Sequence, residues 1–240
     1  MDLISQLPES IVPRILCYCP PAELVRMSVL SKTWFRLTAS FPLLDFTIYK
    51  FKSRNNFFKY VEYTTSRFCN QNLTAYTLRL ITDLREPAEL DIVNRCLELL
   101  LQNGVYDLVI NVVNLSESPS ASSAKYRLPN ILLSVSALTS LIIHGCDLPS
   151  SFMVDALKFK SLTRLKLENI HIDDEVITYL TTSCPLLQIL WVFYCHGLKT
   201  FCVYGHHQHL RSVSIKYNTP FEKIDIEAPN LYLMNGLILT

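Results

Sequence analysis

The sequence predicts an α/β chain in two parts: a three-helix module over residues 1–46 and, after a helical link at 47–72, a solenoid over 73–240. Three observations carry that reading. The chain opens with an apolar segment punctuated by prolines. From Leu138 onward a Leu-x-x-Leu-x-Leu pattern returns at spacings of 24, 25 and 23 residues. Half of the 240 residues are hydrophobic, 18% are charged and the net charge is +1. That composition builds a packed core, and it argues against disorder and against a surface that neutralises nucleic acid.

The first element is LPESIVPRILCYC, where Ile11, Ile15 and Leu16 recur at helical spacing. Pro8 suits a first helical turn. Pro13 in a helix interior would cost about 3 kcal/mol. The helix therefore either starts late, with Ser10 as its cap, or kinks there. Pro20-Pro21 break the chain, and AELVRMSVL at 22–30 supplies a second helix with Leu24, Val25, Val29 and Leu30. Ser31 caps a third, through Trp34, Leu37 and Phe41, which Pro42 ends. A unit of this size buries little surface alone, and Trp34, Phe35, Leu37 and Phe41 cannot all face inward on one short helix. Two readings stay open: part of the segment is an interface for another protein, or these side chains pack on the downstream domain.

The link contains FFKYVEYTTSRF, read as a helix whose Phe57, Phe58 and Val61 stripe is packing. AYTLRL and VYDLVINV read as two degenerate strands. Between them PAELDIVNRCLELLLQNG is a helix, with Pro87 near its start and Gly104 at its end. NILLSVSALTSLII at 130–143 is too short for a membrane span and reads as core.

The repeats then follow: Leu138-Leu141-Ile143 leading to Cys146, Leu162-Leu165-Leu167 to Ile170, Leu187-Leu190-Val192 to Cys195, and Leu210-Val213-Ile215 to Asn218. Cys or Asn at the last position is the leucine-rich-repeat signature, an inward side chain that satisfies backbone groups of the neighbouring coil. Ile170 is the weak match. Leu198-Phe201-Val203 and Phe221-Ile224-Ile226 form a second register, read as strands on the opposite side of the solenoid. Helices at 150–159 and 173–184 occupy that side in earlier coils. No polar cap follows the last coil, as in a C-terminally truncated solenoid.

LPESIVPRILCYCPPAELVRMSVLSKTWFRLTASFPLLDF closely resembles the plant F-box motif in the order of its parts. YRLPNILLSVSALTSLIIHGCDL, DDEVITYLTTSCPLLQIL and EAPNL resemble the plant F-box/leucine-rich-repeat (FBD-type) family. The resemblance implies a three-helix F-box that docks a Skp-type adaptor and, through it, the cullin scaffold of an SCF ubiquitin ligase. The residues matching adaptor-facing or supporting positions are Leu7, Pro8, Ile11, Ile15, Leu16, Leu24, Val25, Val29, Leu30 and Trp34.

Side chains alternate along a strand, so residues between the repeat's core positions point outward. The expected concave surface is Ser140, Ile142 and His144, then Arg164, Lys166 and Glu168, then Ile189, Trp191 and Phe193, then Ser212, Ser214 and Lys216. The candidate client-binding residues are Ile142, Arg164, Lys166, Ile189, Trp191 and Phe193, because exposed aromatics anchor interfaces and their neighbours are basic.

Catalytic signatures are missing. The chain has five glycines and no phosphate-cradling or H-E-x-x-H motif. CVYGHHQH offers Cys202, His206, His207 and His209, but their spacing matches no zinc finger and they read as a loop. The eight cysteines form no CxxC pair and read as buried, reduced thiols. MDLISQLPES lacks the character of a signal peptide, so the expected location is cytoplasmic or nuclear. The expectation is a non-enzymatic adaptor without cofactor, binding a client protein rather than nucleic acid or membrane. The alternatives are a repeat scaffold acting outside the ligase and a small-ligand receptor.

Overall fold

The computed structural model describes residues 11, 16, 26–27, 29–34, 43–70, 74–114, 125–149, 159–203, 208–217 and 221–235. The chain divides into two compact units, Met1–Leu44 and Asp45–Thr240.

In the first unit, Arg26 and Met27 are helical, and the amides of Val29 and Leu30 donate to the carbonyls of Arg26 and Met27. Residues 32–34 begin another helix. The Ser31 hydroxyl accepts the Trp34 amide at 3.1 Å, the N-cap bond that Ser31 was expected to make. Leu37, Phe41 and the prolines at 8, 13, 20 and 21 lie outside the described residues.

The second unit is built on parallel strands. Strand β1 (Leu43–Thr47) precedes a 3-10 turn at Ile48–Lys50 and helix α1 (Arg54–Asn70). Then come β2 (Ala75–Leu84), α2 (Pro87–Gln102), β3 (Val105–Asn114) and a 3-10 turn at Asn130–Ser134. The repeats contribute β4 (Ser140–His144), β5 (Arg164–Glu168), α3 (Asp174–Ser183), β6 (Ile189–Phe193), β7 (Thr200–Val203), β8 (Ser212–Lys216), β9 (Lys223–Ile226) and β10 (Leu233–Asn235). One sheet has the order β1-β2-β3-β4-β5-β6-β8-β10, and a second pairs β7 with β9. From β2 to β10 every pairing is parallel. Each parallel neighbour requires a crossover, which is what a repeat of two dozen residues supplies.

Register places the apolar positions in continuous rows. Leu141, Leu165, Leu190 and Val213 form one, and Ile143, Leu167, Val192 and Ile215 the next. All eight are buried, as are the leading Leu138, Leu162, Leu187 and Leu210. Each such side chain contributes about 1.5–3 kcal/mol by leaving water.

Both ends of these strands are tied to the next coil. Before the strands, the amides of Thr163, Gln188 and Arg211 donate to the carbonyls of Thr139, Thr163 and Gln188. After them, Gly145, Asn169 and Tyr194 take left-handed backbone, with φ of 70°, 53° and 52°. Their amides donate to Glu168, Phe193 and Lys216. A left-handed residue here turns the chain off the strand while its N–H still reaches the neighbouring coil.

The expected inward cysteines are inward. The Cys146 thiol lies 3.5 Å from the Val112 carbonyl, and that of Cys195 lies 3.6 Å from Leu167. Ile170 fills the same place by burial alone. Asn218 lies outside the described residues.

Helix α1 packs on α2, where the Thr65 hydroxyl meets the Cys96 thiol at 3.4 Å, and Phe57, Phe58 and Val61 of α1 are buried. The segment read as a helical link thus forms a layer against α2. The Arg54 guanidinium bonds the Asp83 carboxylate at 2.7 Å and Glu89 at 3.0 and 2.6 Å. It thereby joins α1 to the end of β2 and the start of α2. At α3, Asp173 caps Val176 at 2.9 Å. Asp174 accepts the Lys199 and Thr200 amides and the Thr200 hydroxyl, which ties α3 to β7.

Four features depart from expectation. The sequence reading contained neither β1 nor β10, and β2 and β3 run to ten residues each. A leucine pair before Asp45 reads as the exit of a helical module, and three residues at β10 are too few to carry a period. The helix expected at 150–159 lies outside the described residues except for Phe159, which is buried.

Candidate protein-docking face

The outward positions of β4, β5, β6 and β8 line up across the sheet. Ile142 pairs in register with Lys166, Lys166 with Trp191, and Trp191 with Ser214. The next row is His144, Glu168, Phe193 and Lys216. All six expected client residues, Ile142, Arg164, Lys166, Ile189, Trp191 and Phe193, therefore occupy one face of three adjacent strands. Ser140 and Ser212 share that register but are buried.

The centre of this face is aromatic and flanked by cations. Trp191 is 38% exposed, an unusual fraction for a tryptophan on a strand whose neighbours Leu190 and Val192 are at 0%. Its ring lies parallel to that of Phe193, 6.1 Å between centroids. The Lys166 ammonium sits 5.2 Å from the Phe193 ring centre, and that of Lys216 sits 5.0 Å from it. Lys166 also pairs with Glu168 at 2.7 Å, and Arg164 with Asp107 at 3.6 Å. Among the described residues Lys216 has no carboxylate partner.

Two residues of this region escaped the client set. Lys216 is an outward position one repeat after Phe193, and its proximity to that ring depends on strand register. His144 keeps a buried Nδ1 without a hydrogen-bond partner among the described residues.

Comparison with known proteins gives this geometry a family. A profile for FBD-associated F-box protein At5g56370, LRR repeats, matches residues 93–237, and the F-box domain profile matches residues 4–46. The chain belongs to the FBD-associated F-box/leucine-rich-repeat family. It is similar to F-box/LRR-repeat protein At5g02910 of Arabidopsis thaliana, at 26% identity over 238 residues, covering 98% of this chain and 48% of the relative. FBD-associated F-box protein At5g22730 of the same plant is 26% identical over 223 residues, covering 90% of this chain and 45% of the relative. F-box/LRR-repeat protein 25 of Arabidopsis thaliana is 25% identical over 242 residues, covering 97% and 84%. The chain spans about half the length of the first two relatives.

Within the F-box, the structure separates the adaptor set by exposure. Val29 is 82% exposed, Leu30 67% and Ile11 41%, whereas Leu16 and Trp34 are buried. Val29 and Leu30 are sequence neighbours, so the exposed pair is contiguous. Leu7, Pro8, Ile15, Leu24 and Val25 lie outside the described residues.

Proteins with F-box and leucine-rich-repeat domains are generally non-catalytic adaptors. Burial pushes the thiols of Cys96, Cys146 and Cys184 up to about 12 and that of Cys195 to about 11. Such thiols are protonated and inert. Among the described residues no group of His, Cys, Asp and Glu could hold a metal, and no helix is long and apolar enough to cross a membrane. His206 and His207 lie outside the described residues.

Proposed function

We propose that this protein is the substrate-recognition subunit of an SCF-type ubiquitin ligase. Its F-box, a three-helix module, docks a Skp-type adaptor and through it the cullin scaffold. The leucine-rich repeats form a solenoid whose outward strand face holds a client protein. The subunit performs no chemistry. It raises the local concentration of client beside the charged ubiquitin carrier, in the cytoplasm or nucleus.

The observation that supports this most is the presence in one chain of two different partner-facing surfaces: Val29 and Leu30 in the F-box, and Trp191 with its lysines on the repeats. An adaptor needs two such surfaces, and a single-site scaffold needs one.

The test is co-purification with a Skp-type adaptor. Wild type is compared with a Val29→Asp, Leu30→Asp double variant, and circular dichroism checks the repeats of each. Adaptor capture by wild type and its loss in a folded variant supports the ligase role. A folded wild type that captures no adaptor overturns it and leaves a repeat scaffold acting elsewhere.

A further inference from the structure

We infer that the segment this face recognises is an acidic linear peptide of the client, with an aromatic residue stacked on Trp191 and a carboxylate on Lys216. The inference rests on the client-binding reading and names its chemistry. The outward positions of β4, β5, β6 and β8 hold the cations Arg164, Lys166 and Lys216 against one anion, Glu168. Glu168 is already engaged by Lys166, and Arg164 by Asp107. Lys216 is the cation of this group without a carboxylate partner among the described residues, and its ammonium is held against the Phe193 ring.

An incoming carboxylate therefore finds an ammonium already positioned, on an apolar floor that strengthens the ion pair by excluding water. Trp191 presents its ring beside that point, parallel to Phe193. A third aromatic ring can add to this pair, since stacked aromatics contribute beyond the area they bury. A basic segment would meet like charges at Lys166 and Lys216, and a purely apolar one would leave the Lys216 ammonium desolvated and unpaired.

The full chain is titrated by fluorescence anisotropy with a labelled peptide carrying Glu-Asp-Trp-Glu between glycine-serine arms. The comparison peptides carry Lys-Lys-Trp-Lys or Glu-Asp-Ala-Glu, and an oligothymidylate serves as a generic polyanion. The acidic aromatic peptide is expected to bind ~10-fold or more tightly than either comparison peptide. Lys216→Gln and Trp191→Ala should each weaken it by a similar factor, while Lys160→Glu, a surface change elsewhere, leaves it unchanged. Equal binding of all the peptides, no binding, or equal binding of the oligonucleotide overturns the inference. In the proposed function the F-box captures the adaptor and this face does not. A chain that captures the adaptor but fails here loses only the peptide chemistry, and a chain that binds the peptide but no adaptor loses only the ligase role.

Discussion

The Trp191 and Phe193 rings project from the same side of one strand, two residues apart and 9° from parallel. Between them Val192 is fully buried in the opposite direction. The strand thus divides its labour residue by residue, and stability and recognition separate in mutants. Trp191→Ala is expected to cost about 1–2 kcal/mol, because the ring is 38% exposed yet stacks on Phe193. Leu190→Ala is expected to cost about 2–5 kcal/mol. Urea unfolding of the two variants checks this, and a Trp191 loss as large as that of Leu190 would show the ring to be structural.

Arg54 bonds two carboxylates at once; removing it leaves Glu89 without a cation, while Asp83 keeps Arg85 at 3.0 Å. Arg54→Met should destabilise by about 3 kcal/mol near neutral pH, the low end for breaking a buried pair. Burial alone pushes the Glu89 carboxyl upward; its bonds from Arg54 and from the Arg85 and Glu86 amides outweigh that and hold it below the usual range. A depressed carboxyl stabilises above its unfolded pKa, and the contribution is lost as pH falls through the folded value. The gap between wild type and Arg54→Met should therefore narrow on acidification through the carboxylate range. Thermal melts across that range read it directly.

Cysteine reactivity should follow burial. Cys69 and Cys202 are half-buried, whereas Cys96, Cys146, Cys184 and Cys195 are buried. Among these six, peptide-mapped alkylation of the native protein should modify Cys202 and Cys69 first, and the four buried thiols only after urea is added. Early alkylation of Cys146 or Cys195 would contradict the inward ladder positions.

Tyr194 occupies left-handed backbone, where a side chain with a Cβ is strained. The equivalent places in the two preceding repeats are Gly145 and Asn169. Tyr194→Asn should raise stability by roughly 0.5–1 kcal/mol, and Tyr194→Val should lower it. A lower melting temperature for the Asn variant would mean that the ring's contacts outweigh the backbone strain.

Much of the repeat was legible because its period is set by local chemistry. Leu141, Leu165 and Leu190 alternate with outward residues inside their strands, Leu138, Leu162 and Leu187 each come two residues before a strand begins, and Cys146 and Cys195 each come two residues after one ends. Ser31 was likewise readable as a cap, because the bond it makes to Trp34 spans three residues. The Arg54 cluster was not readable: its partners stand 29 and 35 residues away, and only the packing of α1 on α2 brings them together.

The same division applies to the candidate site. The sequence by itself determined which residues of each repeat face outward, since a strand's alternation is a property of one residue and its neighbours. It also determined that Trp191 and Phe193 share a side. The tertiary structure decided which outward residues meet. Lys216 reaches Phe193 because β8 pairs directly with β6, while β7, which lies between them in sequence, joins β9 in the second sheet. Lys166 reaches the same ring from β5 on the other side, and Glu168 binds Lys166 instead of leaving it free. Those encounters depend on strand order and register, which arise from closing whole coils on one another and carry no local signature in the chain.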